Sequence, residues 1–188
     1  MGEPTEIFHE GIRILGLKVI EGGEFRADVF RTITEQCRDP RYVGLDLKSR
    51  IAANHVCNRG FLALVDKLGL EFVLAACQRL IRDSEEQARA RLRSLPDGTW
   101  VSRVYGTALS RREGRMHPYQ VVCTMTKEGD EISFDFTGTS PQTDDDANST
   151  LAGAMSHMGV ALTNHLFWDV PWSDGKMRPV QVTVPEGT

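Results

Sequence analysis

Residues 70–98 read LEFVLAACQRLIRDSEEQARARLRSLPDG, and the change of period at the end of this stretch decides the fold. Leu70, Val73, Leu74, Cys77, Leu80, Ile81, Ser84, Ala88, Leu92 and Leu95 keep helical spacing, which amounts to about seven turns at 3.6 residues each. Pro96-Asp97-Gly98 stops the pattern, because proline fixes φ, lacks an N–H and is followed here by turn-forming residues. Beyond it the apolar positions recur at every second residue. Helices that come first and strands that come after point to α+β rather than to alternating βα units.

Toward the N-terminus a second helix is expected from about Leu45 to Leu68. Leu47, Ile51, Leu62 and Val65 lie near one face of it, and Gly69 is its natural C-terminal cap. Two long helices joined at one glycine predict an antiparallel helical hairpin. Glu24 to Cys37 reads as a short helix carrying Phe25, Val29, Phe30 and Ile33, which Pro40 keeps from running on. Ile12 to Ile20 reads as extended, ending in the turn at Gly22-Gly23.

Toward the C-terminus, Thr99–Tyr105 and Tyr119–Thr126 read as strands separated by the polar loop Ser110–His117. Glu128-Gly129-Asp130 is a tight turn. Ile132, Phe134 and Phe136 then alternate with Ser133 and Asp135, as on a sheet buried on one face. A loop from Thr137 to Asp146 leads into a helix capped near Asn148 or Ser149. Its apolar stripe is Leu151, Ala154, Met155, Met158, Ala161, Leu162, His165 and Leu166, and Pro171 ends it. Val180–Val184 is a final strand. The expected architecture is α+β: an N-terminal helical hairpin followed by a small, mainly antiparallel sheet with one packed helix. Two subdomains follow from it, 1–95 with the extended segment and the helices, and 96–188 with the sheet and its helix.

The bulk properties remove several functional classes. The 22 basic and 26 acidic residues are mixed along the chain, for a net charge of −4. With no basic stripe, nucleic acid is not an expected partner. The most apolar stretches, such as Leu70–Cys77, fall short of the roughly 20 apolar residues that span a bilayer. Met1–Glu6 has neither the basic start nor the apolar run of a signal peptide. Cys37, Cys57, Cys77 and Cys123 are widely spaced with no CxxC pair, which reads as reduced, mostly buried thiols and favours the cytoplasm.

The chemistry-bearing residues are sparse. His9 stands beside Glu10, but a single neighbouring pair makes no metal site. His157 and His165 are eight apart on a helix, about 80° out of register. His165 and Asp169 have the i, i+4 spacing that orients an imidazole. There is neither an HExxH motif nor a Cys/His cluster, so no metal site is expected in this chain. No serine occupies a GxSxG elbow, and His55 and Cys57 are two apart on a helix and face different sides. Gly22-Gly23 and Gly138 are turn glycines without a following Lys-Ser or Lys-Thr. Asp144-Asp145-Asp146 reads as a solvated loop placing negative charge near a helix start. Asn54 and Asn58 fall within the apolar stripe of the second helix. Buried there, they would need partners from a neighbouring loop or subunit, or would line a pocket.

Residues and spacing alone stop at a soluble α+β chain. Thr5-Glu6-Ile7-Phe8-His9-Glu10-Gly11-Ile12-Arg13-Ile14 resembles a segment of the hydantoinase B/oxoprolinase family. The likeness continues through Leu17-Lys18, Glu21–Glu24, Asp46-Leu47 to Asn54 with Arg59, and Leu95–Thr99. It returns at Asp135–Gln142 with Asn148, and at Arg178–Val180 to Gly187. Leu15-Gly16, where the family often has two prolines, and Asn148-Ser149 are departures.

The resemblance implies a part of an ATP-dependent enzyme built of two halves. One half is an actin-like ATPase that phosphorylates a carbonyl oxygen, and the other, which this chain resembles, completes the reaction. Hydantoins, 5-oxoproline and related lactams are the implied substrates, which makes the enzyme a hydrolase of cyclic amides. A related branch carboxylates ketones with bicarbonate, and a non-catalytic assembly module is a third reading. The family segments that resemble metal ligands lie upstream of this stretch. No cofactor is therefore expected here, while ATP and a divalent metal are expected in the complete enzyme. The chain is expected to be an interior segment, inactive alone, within a hetero-oligomer that includes an ATPase-type A subunit. Three residues are the candidates for reaching a site: Glu10 to orient water or ligand, Arg13 to meet phosphate or carboxylate, and Asn54 to bond an amide. The plainer role for all three is to hold the fold's own loops.

Overall fold

The computed structural model describes residues 13–110, 113–144 and 148–187. The described chain divides into two compact units, one up to Val73 and one from Leu74 onward.

In the first unit, β1 (Ile20–Glu21) pairs antiparallel with β2 (Glu24–Phe25). Gly22 and Gly23 join them with φ of 59° and 88°, the doubly positive pair that a tight two-residue hairpin loop demands. Residues 13–19, expected to be extended, form no strand: pairing begins only at Ile20, the first residue with a partner across the turn. Arg26 donates to Glu21 and to Asp28, at 2.8 Å each, and so ties the hairpin to α1 (Ala27–Thr34).

α2 (Pro40–Leu68) starts earlier than expected. Pro40 opens this helix as well as barring the previous one, since the first-turn N–H it lacks has no helical acceptor in any case. Asp39 caps the end, accepting from the Tyr42 N–H at 3.2 Å. Gly44 lets the helix approach α1 closely: a Cβ at that position would lie 3.2 Å from the Phe30 ring. Beyond it the helix is solvated. Gly44 is its one buried residue, and Val56, Phe61, Leu62 and Leu64 are exposed. Asn54 and Asn58, read within an apolar stripe, are both exposed on this helix, with no partner among the described residues burying them. Gly69 (φ 84°) ends it, donating to the Val65 carbonyl at 2.8 Å.

The division between units falls inside α3 (Leu70–Arg93). In the second unit β3 (Gly98–Ser110), β4 (Arg115–Glu128), β5 (Glu131–Asp135) and β6 (Val180–Thr183) form a sheet in that order. The first three are antiparallel and β6 runs parallel to β5. β3 and β4 are 13 and 14 residues long and enter the expected loop Ser110–His117 from both ends: Ser110 and residues 115–117 are strand, with Ser110 opposite Arg115. α4 (Leu151–His165) and a 3-10 helix (Asp174–Met177) connect β5 to β6.

α4 is capped by Thr150 rather than by Asn148 or Ser149: its Oγ1 accepts from Gly153 N–H at 3.1 Å. The helix ends at His165, well before Pro171, where Phe167 N–H folds back to the Leu162 carbonyl at 2.8 Å. The core is Ala88 and Leu92 of α3, Ile132 and Phe134 of β5, Leu162 of α4, and Phe167 and Val170. Polar pairs fasten its edges. Arg91 grips both Asp169 oxygens at 2.9 and 2.7 Å, so this arginine, not His165, is the partner of Asp169. Lys127, 4% exposed, donates to the Leu95 carbonyl at 2.7 Å and to Asp97 at 2.6 Å, closing the turn that ends α3.

The cysteines depart from expectation. Cys57 and Cys77 are exposed, while Cys37 and Cys123 are half-buried, and all four are free thiols. No helix among the described residues is long and apolar enough to cross a membrane.

Candidate functional site

Past Asp135, β5 has ended but the adjacent edge of β4 still needs partners. Residues 135–142 supply them. The Asp135 carboxylate accepts from Thr137 N–H at 2.8 Å and from its hydroxyl at 2.6 Å, a local turn of Asx type. These two donors hold the Asp135 carboxyl below its ordinary value, led by the hydroxyl. Their stabilisation is therefore complete above the ordinary carboxylate range and is lost as pH falls through the lowered value. Gly138, at φ 95°, then redirects the chain.

The next two hydroxyls replace a strand. Thr139 Oγ1 accepts from Val122 N–H and donates to Val122 carbonyl, both at 3.1 Å. Ser140 Oγ accepts from Gln120 N–H at 3.0 Å, and Ser140 N–H donates to Gln120 carbonyl at 2.9 Å. Gln142 N–H reaches the Gly187 carbonyl at 2.9 Å. Asn148 clasps the Thr143 backbone, accepting from its N–H at 2.8 Å and donating to its carbonyl at 2.7 Å. The most distinctive motif in the sequence is thus architectural, and its polar atoms satisfy backbone.

What this loop builds is concave. On one side it closes a cavity of 180 Å³ with an apolar floor of Val121, Phe136, Ala154 and Val184. On the other it borders an open cleft of 410 Å³ that reaches Ser110, Glu113, His117 and Asp144. Tyr119 and residues 140–143 form the wall common to both.

The charged end of the cleft follows from the β3–β4 register. Glu113 receives Arg115 at 2.7 Å and lies 3.2 Å from His117 Nε2. Arg115 Nε also points at His117 Nε2, at 3.2 Å. That one ring nitrogen accepts from the guanidinium when the imidazole is neutral and donates to Glu113 when it is protonated. Ser110 Oγ donates to Asp144 at 2.9 Å and accepts from Glu113 N–H at 3.1 Å. Chemically, the arrangement offers an apolar floor for a small ring or chain and a polar mouth with one carboxylate–imidazole pair. Among the described residues no three His, Cys, Asp or Glu side chains converge as metal donors.

Tyr119 owes its position to Gly106, directly opposite in the ladder. A Cβ there would lie 2.6 Å from the phenol end of Tyr119. The obstructing atoms are the tip of a side chain, so the ring can swing away. Gly106→Ala should therefore shift the Tyr119 ring out of the common wall while costing under about 1.5 kcal/mol. A crystal structure and a melting curve of the variant check both halves; an unmoved ring overturns the account.

The candidate residues named from the sequence are Glu10, Arg13 and Asn54. Glu10 is outside the described residues. Arg13 and Asn54 are exposed residues of the first unit, whereas the cleft is built wholly from the second. Asp144, expected in a solvated loop, is exposed and also accepts from Ser110, while Asp145 and Asp146 lie outside the described residues. His157 bonds the Gly153 carbonyl through Nδ1 at 2.8 Å, and His165 is exposed. Ser110, Glu113 and His117 escape a sequence reading because they look like polar loop. Treating the stretch as one long hairpin would bring them together.

The whole chain, residues 1–188, matches the family model for hydantoinase B/oxoprolinase. It is 26% identical to the B-type subunit of a putative D-/L-hydantoinase from Pseudomonas sp. (strain NS671), over 99% of this chain and 33% of that protein. It is 24% identical to the delta subunit of acetophenone carboxylase from Aromatoleum aromaticum, over 98% of this chain and 27% of that one. The beta subunit of caprolactamase from Pseudomonas jessenii is 30% identical over 99% of this chain and 32% of its own length. The crystal structure of that ATP-dependent caprolactamase superposes on 97% of this chain and 31% of the solved one, with a TM-score of 0.79. The chain thus spans about a third of the length of these relatives.

Proposed function

The chain belongs to the hydantoinase B/oxoprolinase family, and from that premise we propose that it is a segment of the B-type subunit of an ATP-dependent cyclic amidohydrolase, supplying scaffold and one wall of a pocket. The observation that carries the reading is the likeness to caprolactamase, 30% identical with a TM-score of 0.79 across 97% of this chain. A lactam has a hydrocarbon ring and one amide; the cavity has an apolar floor, and the cleft across the wall of Tyr119 and residues 140–143 is polar.

Within this reading the chain's own residues bind and orient. Phe136, Val121 and Tyr119 shed water around an apolar ring, and the hydroxyl-rich loop keeps Tyr119 and Pro141 in place. ATP supplies the phosphoryl group that makes an amide oxygen a leaving group. The reading assigns ATP and a divalent metal to other parts of the complete enzyme. The relatives are named as B, beta and delta subunits, which supports a hetero-oligomer with an ATPase-type A subunit. The reading places the enzyme in the cytoplasm.

A second reading, an ATP-dependent ketone carboxylase, draws on the likeness to the delta subunit of acetophenone carboxylase. ATP consumption by the complete enzyme distinguishes the two. A panel of lactams and hydantoins should stimulate it, and stimulation only by ketone with bicarbonate retires the amidohydrolase reading. The isolated chain should turn over none of these compounds; ATP-dependent turnover by it would contradict its role as one wall of a larger site.

A further inference from the structure

Lys176 is 1% exposed, yet no carboxylate among the described residues lies within ion-pair reach of its ammonium. Its Nζ donates to Thr163 Oγ1 of α4 at 2.7 Å and stands 3.8 Å over the Trp172 ring. Thr163 donates its own proton to the Gly159 carbonyl, at 2.7 Å, so its oxygen is turned toward the lysine. Three N–H groups thus meet one hydroxyl and one π face. Burying an ammonium without a counter-charge is unfavourable, and cation–π attraction offsets it only in part.

The lysine sits in the connection from α4 to β6. That connection crosses α3, with Gly175 pressed on the Ile81 carbonyl and Arg178 paired with Glu85 at 2.9 Å. It inserts Phe167 and Val170 into the core, and its Leu166 walls an apolar cleft of 460 Å³ beside α4. Its own backbone bonds outside the 3-10 helix are few: Leu166 and Phe167 N–H to the Leu162 carbonyl of α4, Val170 N–H to Phe167 carbonyl, and Arg178 N–H to Gly175 carbonyl. We propose that residues 166–178 form a strap that opens as a unit, independently of the sheet, and that the uncompensated burial of Lys176 sets how often it opens.

Opening returns the ammonium to water and widens the apolar cleft at Leu166, whereas the ladder from β3 to β5 stays intact. Energies of local opening commonly differ between such segments of one fold.

Amide hydrogen exchange on the full chain tests the strap. Lys176→Met keeps length and removes the charge; it should slow exchange at Leu166 and Phe167, whose N–H groups bond the Leu162 carbonyl of α4, about tenfold relative to β4 and β5 amides. Thr163→Val, which withdraws the hydroxyl acceptor, should speed the same amides, and should do so less in the Lys176→Met background. Equal slowing of strap and sheet, or strap exchange indifferent to both substitutions, overturns the proposal.

Discussion

Phe167→Ala should lower the stability of the sheet-bearing unit by about 3–5 kcal/mol. Phe167 is the largest of the fully buried side chains, at 0% exposure, and it meets α3, β5 and α4 together. It belongs to one core cluster with Ala88 and Leu92 of α3, Ile132 and Phe134 of β5, and Leu162 of α4. Truncation removes the transfer energy of a benzyl group and leaves a cavity that three separate elements would have to collapse to fill. In a chain of this size that corresponds to a fall in melting temperature of roughly 10 °C or more. Chemical denaturation measures it directly, with a lowered midpoint and an unchanged slope. A loss below about 1 kcal/mol would mean that the core is not built around this residue.

Gly175→Ala should cost about 3 kcal/mol, for the opposite reason. A methyl group at Gly175 collides with the Ile81 carbonyl and lies 3.1 Å from the Glu85 nitrogen. Both are backbone atoms of α3, so neither can rotate aside as the Tyr119 ring can opposite Gly106. The contact is relieved only if the 3-10 helix lifts off, which separates Arg178 from Glu85 and Lys176 from Thr163. Thermal unfolding of the variant should show a loss comparable to that of Phe167→Ala. Alanine tolerated at this site would mean that the strap rests on α3 more loosely than described.

The general architecture was legible because it depends on period and punctuation. Pro96-Asp97-Gly98 separates helix from strand in the sequence and in the structure. The alternation at Ile132–Phe134 marks a strand with one buried face, and both residues reach the core. Where the reading missed, a local rule met a second use of the same residue. Pro40 barred one helix but also began the next. Ser110–His117 is polar, yet polar residues fit a strand when its faces are solvated, as those of β3 largely are.

The site was legible only in part, because spacing does not report burial. Asn54 shares the helical stripe of Leu62, and both turn out exposed. The Asp135–Gln142 motif stood out, but only the hydrogen bonds reveal that Thr139 and Ser140 serve the backbone of β4. Lys127 and Lys176 look like any surface lysines in the sequence. Their burial follows from contacts with Leu95 and Thr163, 32 and 13 positions away.

The parallel pairing of β6 with β5 has a bearing on how the chain acquires its form. β3, β4 and β5 follow one another closely in the sequence, so their ladders can zip from neighbouring residues. Ile132, by contrast, must find Val180. The entropy of closing so long a loop is lost before any contact across it can offset the loss. β6 is therefore the latecomer of the sheet, and until it docks the outer edge of β5 stands open with Ile132 and Phe134 beside it. That interval is when a nascent chain is most prone to pair with the wrong strand.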